Sequence, residues 1–98
     1  MLIKYNHNNT YENVIKKLIT LFCEGKFHQI LEKESELIRS YSDSGEILNI
    51  IGTAYLELRI YKKALVLFIK AIKKNPRAPE IYYNLGLTFH HQGNIDEA

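Results

Sequence analysis

The chain has 98 residues, 46% of them hydrophobic and 24% charged, so it suits one small domain and is too apolar to be intrinsically disordered. Its formal net charge of +2 gives no whole-chain reason to expect nucleic acid or a membrane as partner. The lone Cys23 excludes an internal disulfide and a cysteine-rich zinc site. No apolar run reaches the ~20 residues that cross a bilayer. The N-terminus lacks the apolar core of a signal peptide, so we expect a cytoplasmic protein.

The predicted elements are helices throughout. Thr10 and Ser44 are candidate N-caps for the helices that follow them. Apolar residues recur every three or four positions over 45–58 and again over 61–74, which is helical periodicity. Pro79 suits the first turn of a further helix. No segment alternates with a period of two, so the predicted fold class is all-α.

An internal repeat of 34 residues organises these helices. A shift of that length places Gly52 on Gly86, Tyr55 on Phe89 and Ala64 on Ala98, without gaps. Each unit is predicted to contain two helices. We predict a single domain over 1–98, with a tail over 1–10, a divergent first unit over 11–44, a regular second unit over 45–78 and an incomplete third unit over 79–98.

The second unit carries a specific set of small, aromatic and aliphatic residues. These are Leu48, Ile51, Gly52, Tyr55, Ala64, Phe68, Ala71 and Pro76. The set resembles the tetratricopeptide repeat, over about residues 11–98. The resemblance implies a solenoid of antiparallel helix pairs that scaffolds protein interactions. It also implies a non-enzyme that uses no cofactor and binds a peptide or partner protein in a concave groove formed by the first helix of each unit.

Helix spacing then selects the candidates that face this groove, three from each unit. They are Ile15, Ile19, Phe22, Asn49, Thr53, Leu56, Tyr83, Leu87 and His90.

A subclass of the family grips the terminal carboxylate of heat-shock chaperones through lysine, asparagine and arginine. The matching positions here are Ile15, Ile19, Ile50, Glu80 and Asn84. None supplies a cation, so we expect no such binding.

Other chemistry has little support in the sequence. His90 and His91 are adjacent, whereas two ligands on one helical face need a spacing of three or four, so we predict no metal site. Cys23 is interpreted as a small apolar residue and not as a nucleophile. The carboxylates are scattered and form no pair suited to general acid–base catalysis, so we predict no catalytic residue.

A basic stretch and an apolar surface leave a second hypothesis open. From Arg59 to Arg77 there are seven basic residues and no acidic one, which is interpreted as a solvated face. Val66 and Ile69 fall on that face, where they could contact another chain. We expect no nucleic acid and no membrane as partner. The alternative function is a structural or oligomerisation segment of a larger repeat protein, packing against an attached catalytic domain.

The end of the sequence generates a further expectation. Asn94 is expected to begin a second helix of the third unit, so we expect a piece of a longer repeat protein. Three apolar side chains, Tyr82, Leu85 and Phe89, would then lack their cover. A homodimer through that edge, or through the Val66 and Ile69 face, would supply it, and truncation could be its cause.

Overall fold

The computed structural model describes residues 10–97, and the side chains as far as Gly93. Every element in this range is a helix, which confirms the predicted all-α class. The elements are α1 Tyr11–Cys23, α2 Phe27–Glu32, α3 Glu34–Ser40, α4 Gly45–Glu57, α5 Tyr61–Lys74 and α6 Pro79–Glu97.

Side-chain caps begin two of the helices where the sequence predicts them. The Thr10 hydroxyl accepts a hydrogen bond from the Asn13 backbone N–H at 3.1 Å. The Ser44 hydroxyl accepts from the Ile47 N–H at 3.0 Å. Each bond satisfies one of the N–H groups that have no partner within a helix's first turn. Pro79, as predicted, occupies the first turn of α6.

The turns after α1 and α4 are two copies of one structure, 34 residues apart. In the first, Gly25 has φ +74° and the Lys26 N–H donates to the Leu21 carbonyl at 2.9 Å. In the second, Arg59 has φ +65° and the Ile60 N–H donates to the Tyr55 carbonyl at 2.9 Å. This is the Schellman ending of a helix, in which glycine normally holds the left-handed position. Arg59 therefore holds a conformation that its Cβ disfavours.

The core runs along the α4–α5 pair. Gly52 faces the ring of Phe68, and a Cβ added to Gly52 would lie 2.7 Å from the Phe68 Cε1. Gly45 makes a second close approach, since its Cβ would lie 2.9 Å from the Asn75 Cβ. The buried positions of Ala64 and Ala71 keep the same interface narrow. The 34-residue recurrence singles out Gly52 in the sequence, whereas Gly45 is not repeated.

The second helix of the first unit differs from expectation because it is broken into α2 and α3 at Lys33. The Lys33 N–H bonds to the Ile30 carbonyl, three residues back, which tightens the chain out of the α-helical path. The next residue, Glu34, accepts a hydrogen bond from the Tyr55 hydroxyl of α4. Burial, together with that bond, raises the pKa of Tyr55 to about 12. The contact fixes the start of α3 against α4.

The predicted helix start at Asn94 is wrong. The structure continues α6 through Gly93 to Glu97, so Gly93 does not form a turn like that at Gly25. The other two turns are each followed by side chains in the core, Ile30 and Ala64. Gly93 has no atom near its Cβ position. Local hydrogen bonds alone then favour continuing the helix.

We expect Gly52→Ala to lower the free energy of unfolding by about 1–3 kcal/mol, because the new methyl group overlaps the Phe68 ring. Gly86→Ala is the matched control, since the space at Gly86 is open. There the better helix propensity of alanine should stabilise by about 0.5–1 kcal/mol. Urea unfolding followed by circular dichroism measures both. Equal effects at the two positions would contradict the close approach.

We expect Arg59→Gly to stabilise the chain by about 1 kcal/mol, because glycine holds the left-handed conformation without a Cβ clash. Lys62→Gly is the contrasting change, since it places glycine inside α5 and should destabilise by a similar amount. Thermal unfolding distinguishes them. A lower melting temperature for Arg59→Gly would show that the arginine side chain, and not the backbone, decides the stability of this turn.

Candidate binding groove

Three helices form the surface on which the sequence places a binding site. Helix α4 lies between α1 and α6 and contacts both. Helices α2 and α5 also pack on α4 and cover its other sides. We call the face shared by α1, α4 and α6 the groove.

An apolar pocket opens where α1 meets α4. Its lining comes from Ile19 and Phe22 on α1 and from Ile50 and Thr53 on α4, and its volume is about 150 Å³. The Phe22 ring is held edge-on against Phe27, with centroids 5.1 Å apart. An apolar cavity of about this size can hold a group such as benzene. The pocket therefore has room for one aliphatic or aromatic side chain.

Beside the pocket, an amide bridge joins α4 to α6. The Asn84 Nδ2 donates to the Asn49 Oδ1 at 3.0 Å and lies 3.5 Å from the Thr53 Oγ1. The Asn49 NH₂ and the Asn84 Oδ1 bond to no other described residue. Among the described side chains no buried polar atom lacks a partner, so these two groups are open to solvent. They supply one donor and one acceptor, the pair that an extended peptide backbone needs.

The far end of the groove is aromatic and imidazole in character. Tyr83 is 69% exposed, the most of any large apolar side chain in the part described. Leu87 is half-buried and His90 is exposed, one and two helical turns further along α6. The groove thus passes from apolar to amide to aromatic.

Two predicted groove residues lie in the core instead. Ile15 is 9% exposed and Leu56 is 7% exposed, and both pack into the buried cluster. Ile50 lines the pocket, although helix spacing did not select it for the groove. The polar residues of α4 share one side of the helix, and Ile50 and Leu56 lie at opposite edges of that side, so spacing alone does not decide which of the two faces out. Nothing in the sequence separates Ile50 from Leu56, because both flank the same polar side of α4.

The histidines and the cysteine do not form a common site in the described part of the chain. His91 stacks on Tyr61, with ring centroids 6.1 Å apart, and so links α6 to α5. Cys23 is an exposed thiol at the end of α1. Within residues 10–97 no three histidine, cysteine or carboxylate side chains come together in a way that could hold a metal ion.

The predicted self-association residues lie mostly on the surface. On α5, Val66 is 52% and Ile69 is 44% exposed. On α6, Tyr82 and Phe89 are exposed, whereas Leu85 is half-buried against the core. In the described part of the chain, no helix has the length and apolar character to span a membrane.

Comparison with known proteins finds a repeat family over part of the chain. Residues 52–93 match the family model described as TPR (tetratricopeptide) repeat. Over 76 residues the chain is 28% identical to the rhomboid protease GluP of Bacillus subtilis (strain 168), covering 78% of this chain and 15% of that protein. The chain thus spans a small part of that relative's length. No solved structure matches it.

Proposed function

We propose that this chain, whose residues 52–93 match the tetratricopeptide-repeat family model, binds an extended segment of a partner protein along the groove of α1, α4 and α6. Tetratricopeptide repeats are as a rule protein-interaction scaffolds without catalytic activity. The observation that carries the proposal is the apolar pocket set directly beside the open amides of Asn49 and Asn84.

The pocket would take one apolar side chain of the bound segment. Thr53 belongs both to the pocket and to the polar cluster, because it lines the cavity and lies 3.5 Å from the Asn84 amide. A segment with its side chain in the pocket therefore passes its backbone over Asn49 and Asn84. An extended backbone has N–H and C=O groups to pair there, whereas a helix has already used them.

Tyr83 and Leu87 would contact the residues that follow in the bound segment. They lie one turn apart on α6, and an aromatic side chain exposed beside polar groups is a frequent anchor in protein interfaces. We therefore expect the bound peptide to have two apolar side chains. The backbone N–H and C=O groups between them should be available to bond to the two amides.

A second candidate function, self-association, is favoured by the exposed edge of α6. Tyr82 and Phe89 lie seven residues apart, on one face, with Leu85 half-buried between them. A further helix packed there would cover all three.

We expect phage-displayed random peptides selected on this chain to lose about tenfold in affinity on Ile19→Ser, because one apolar contact in the pocket is lost. Asn84→Ala should cost a similar factor through the lost backbone bond. Fluorescence anisotropy of the labelled peptides measures both. Val66→Ser on α5 is the matched control and should bind as the unchanged chain does. Selected peptides that bind all four proteins equally would rule out the groove.

We expect sedimentation equilibrium to show an average mass that rises above 11.5 kDa with concentration, because two copies can cover each other's α6 edge. The double change Tyr82→Ser with Phe89→Ser should restore the monomer. Val66→Ser with Ile69→Ser should leave the association unchanged. A monomer at every concentration would contradict this second candidate and leave the groove proposal intact.

A further inference from the structure

The outward side of α5 combines exposed aliphatic side chains with a row of lysines. We call it the lysine face and define it by Lys62, Val66, Ile69, Lys70 and Lys73. All five side chains are exposed. Helical spacing puts Lys62, Val66, Ile69 and Lys73 in one stripe, at steps of four, three and four residues. At about 1.5 Å per residue this stripe is about 16 Å long, with the two aliphatic residues at its centre.

The core does not need these two aliphatic side chains. The opposite side of α5 carries Ala64, Phe68 and Ala71, which are fully buried against α4. Val66 and Ile69 point away from that stripe and remain about half exposed. Exposure of these two side chains forgoes the free energy of burial, which is roughly 1.5–3 kcal/mol for a side chain of this size. A partner that covered them would recover it.

The cations of the face are not neutralised within the described part of the chain. Of the α5 lysines, Lys74 pairs with Asp43, at 3.0 Å. Lys62, Lys70 and Lys73 form no ion pair with any described residue. From Arg59 to Arg77 the sequence contains no carboxylate. The lysines therefore place positive charge at both ends of the aliphatic pair.

We infer that the lysine face is a second docking surface, and that its partner is an acidic amphipathic protein segment. Such a segment would set two aliphatic side chains on Val66 and Ile69 and carboxylates opposite Lys62, Lys70 and Lys73. Charge complementarity selects this occupant. The site lies on a second helix of the solenoid, outside the groove, so it is independent of the proposed groove ligand.

Three other occupants fit the face less well. A second copy docked face to face would set lysines against lysines, which costs energy. A lipid surface favours a broad apolar side, whereas α5 offers only two half-exposed aliphatic residues because its apolar side is already in the core. Single-stranded nucleic acid binds through exposed aromatic rings, but the nearby Tyr61 is stacked on His91.

The test uses a labelled, amidated peptide in which two leucines three positions apart are flanked by glutamates. We expect it to bind in a fluorescence anisotropy titration and to weaken as sodium chloride is raised, because salt screens exposed charges. Val66→Ser with Ile69→Ser should weaken binding about tenfold. Lys62→Glu with Lys73→Glu should weaken it at least as much. Ile19→Ser, in the groove, should leave it unchanged.

Two control peptides separate the parts of the inference. Replacing the leucines by serines, or the glutamates by glutamines, should each reduce affinity about tenfold. The inference is overturned if the serine peptide binds as well as the leucine peptide, since charge alone would then account for binding. It is also overturned if the leucine peptide does not bind. Binding of phosphatidylserine vesicles in its place would assign the face to a lipid surface.

Discussion

The close approach of Gly52 to the Phe68 ring is the contact on which the rest of the structure depends. It brings α4 and α5 together without a side chain between them, so Phe68 can be fully buried and the α5 backbone lies close to its partner. This orientation turns Val66 and Ile69 outward and leaves the opposite side of α4 to α1 and α6. The missing Cβ at Gly52 therefore sets the packing on which both proposed surfaces depend.

Much of this arrangement could be predicted from the residues. The caps at Thr10 and Ser44, the helix start at Pro79 and the approach at Gly52 each depend on local chemistry that one residue type supplies. The exposure of Val66 and Ile69 could be predicted because lysines mark the outward side of α5. Where a helix has one clear polar side, periodicity is enough to orient it.

The errors have a common physical origin, since each concerns a choice that the local sequence leaves open. Ile50 and Leu56 lie at opposite edges of the polar side of α4, so spacing left the choice between them open, and Leu56 was wrongly assigned to the groove. The break at Lys33 has neither proline nor glycine to mark it, and the Tyr55 to Glu34 hydrogen bond spans 21 residues. At Gly93 the sequence allows a turn or a helix, and only contacts made further along the chain could decide between them.

Because of the break at Lys33, the helices of the solenoid need not all unfold together. In a repeat array, each unit is held by its own helix pair and by the next unit. Here, among the described helices, α3 contacts only α2 and α4. It is held chiefly by the buried Leu37 and by the hydrogen bond from the Tyr55 hydroxyl to Glu34. It can therefore open as a small unit of its own while α4 and α5 stay folded. Such an opening would leave the apolar pocket formed, because α3 contributes no side chain to its lining.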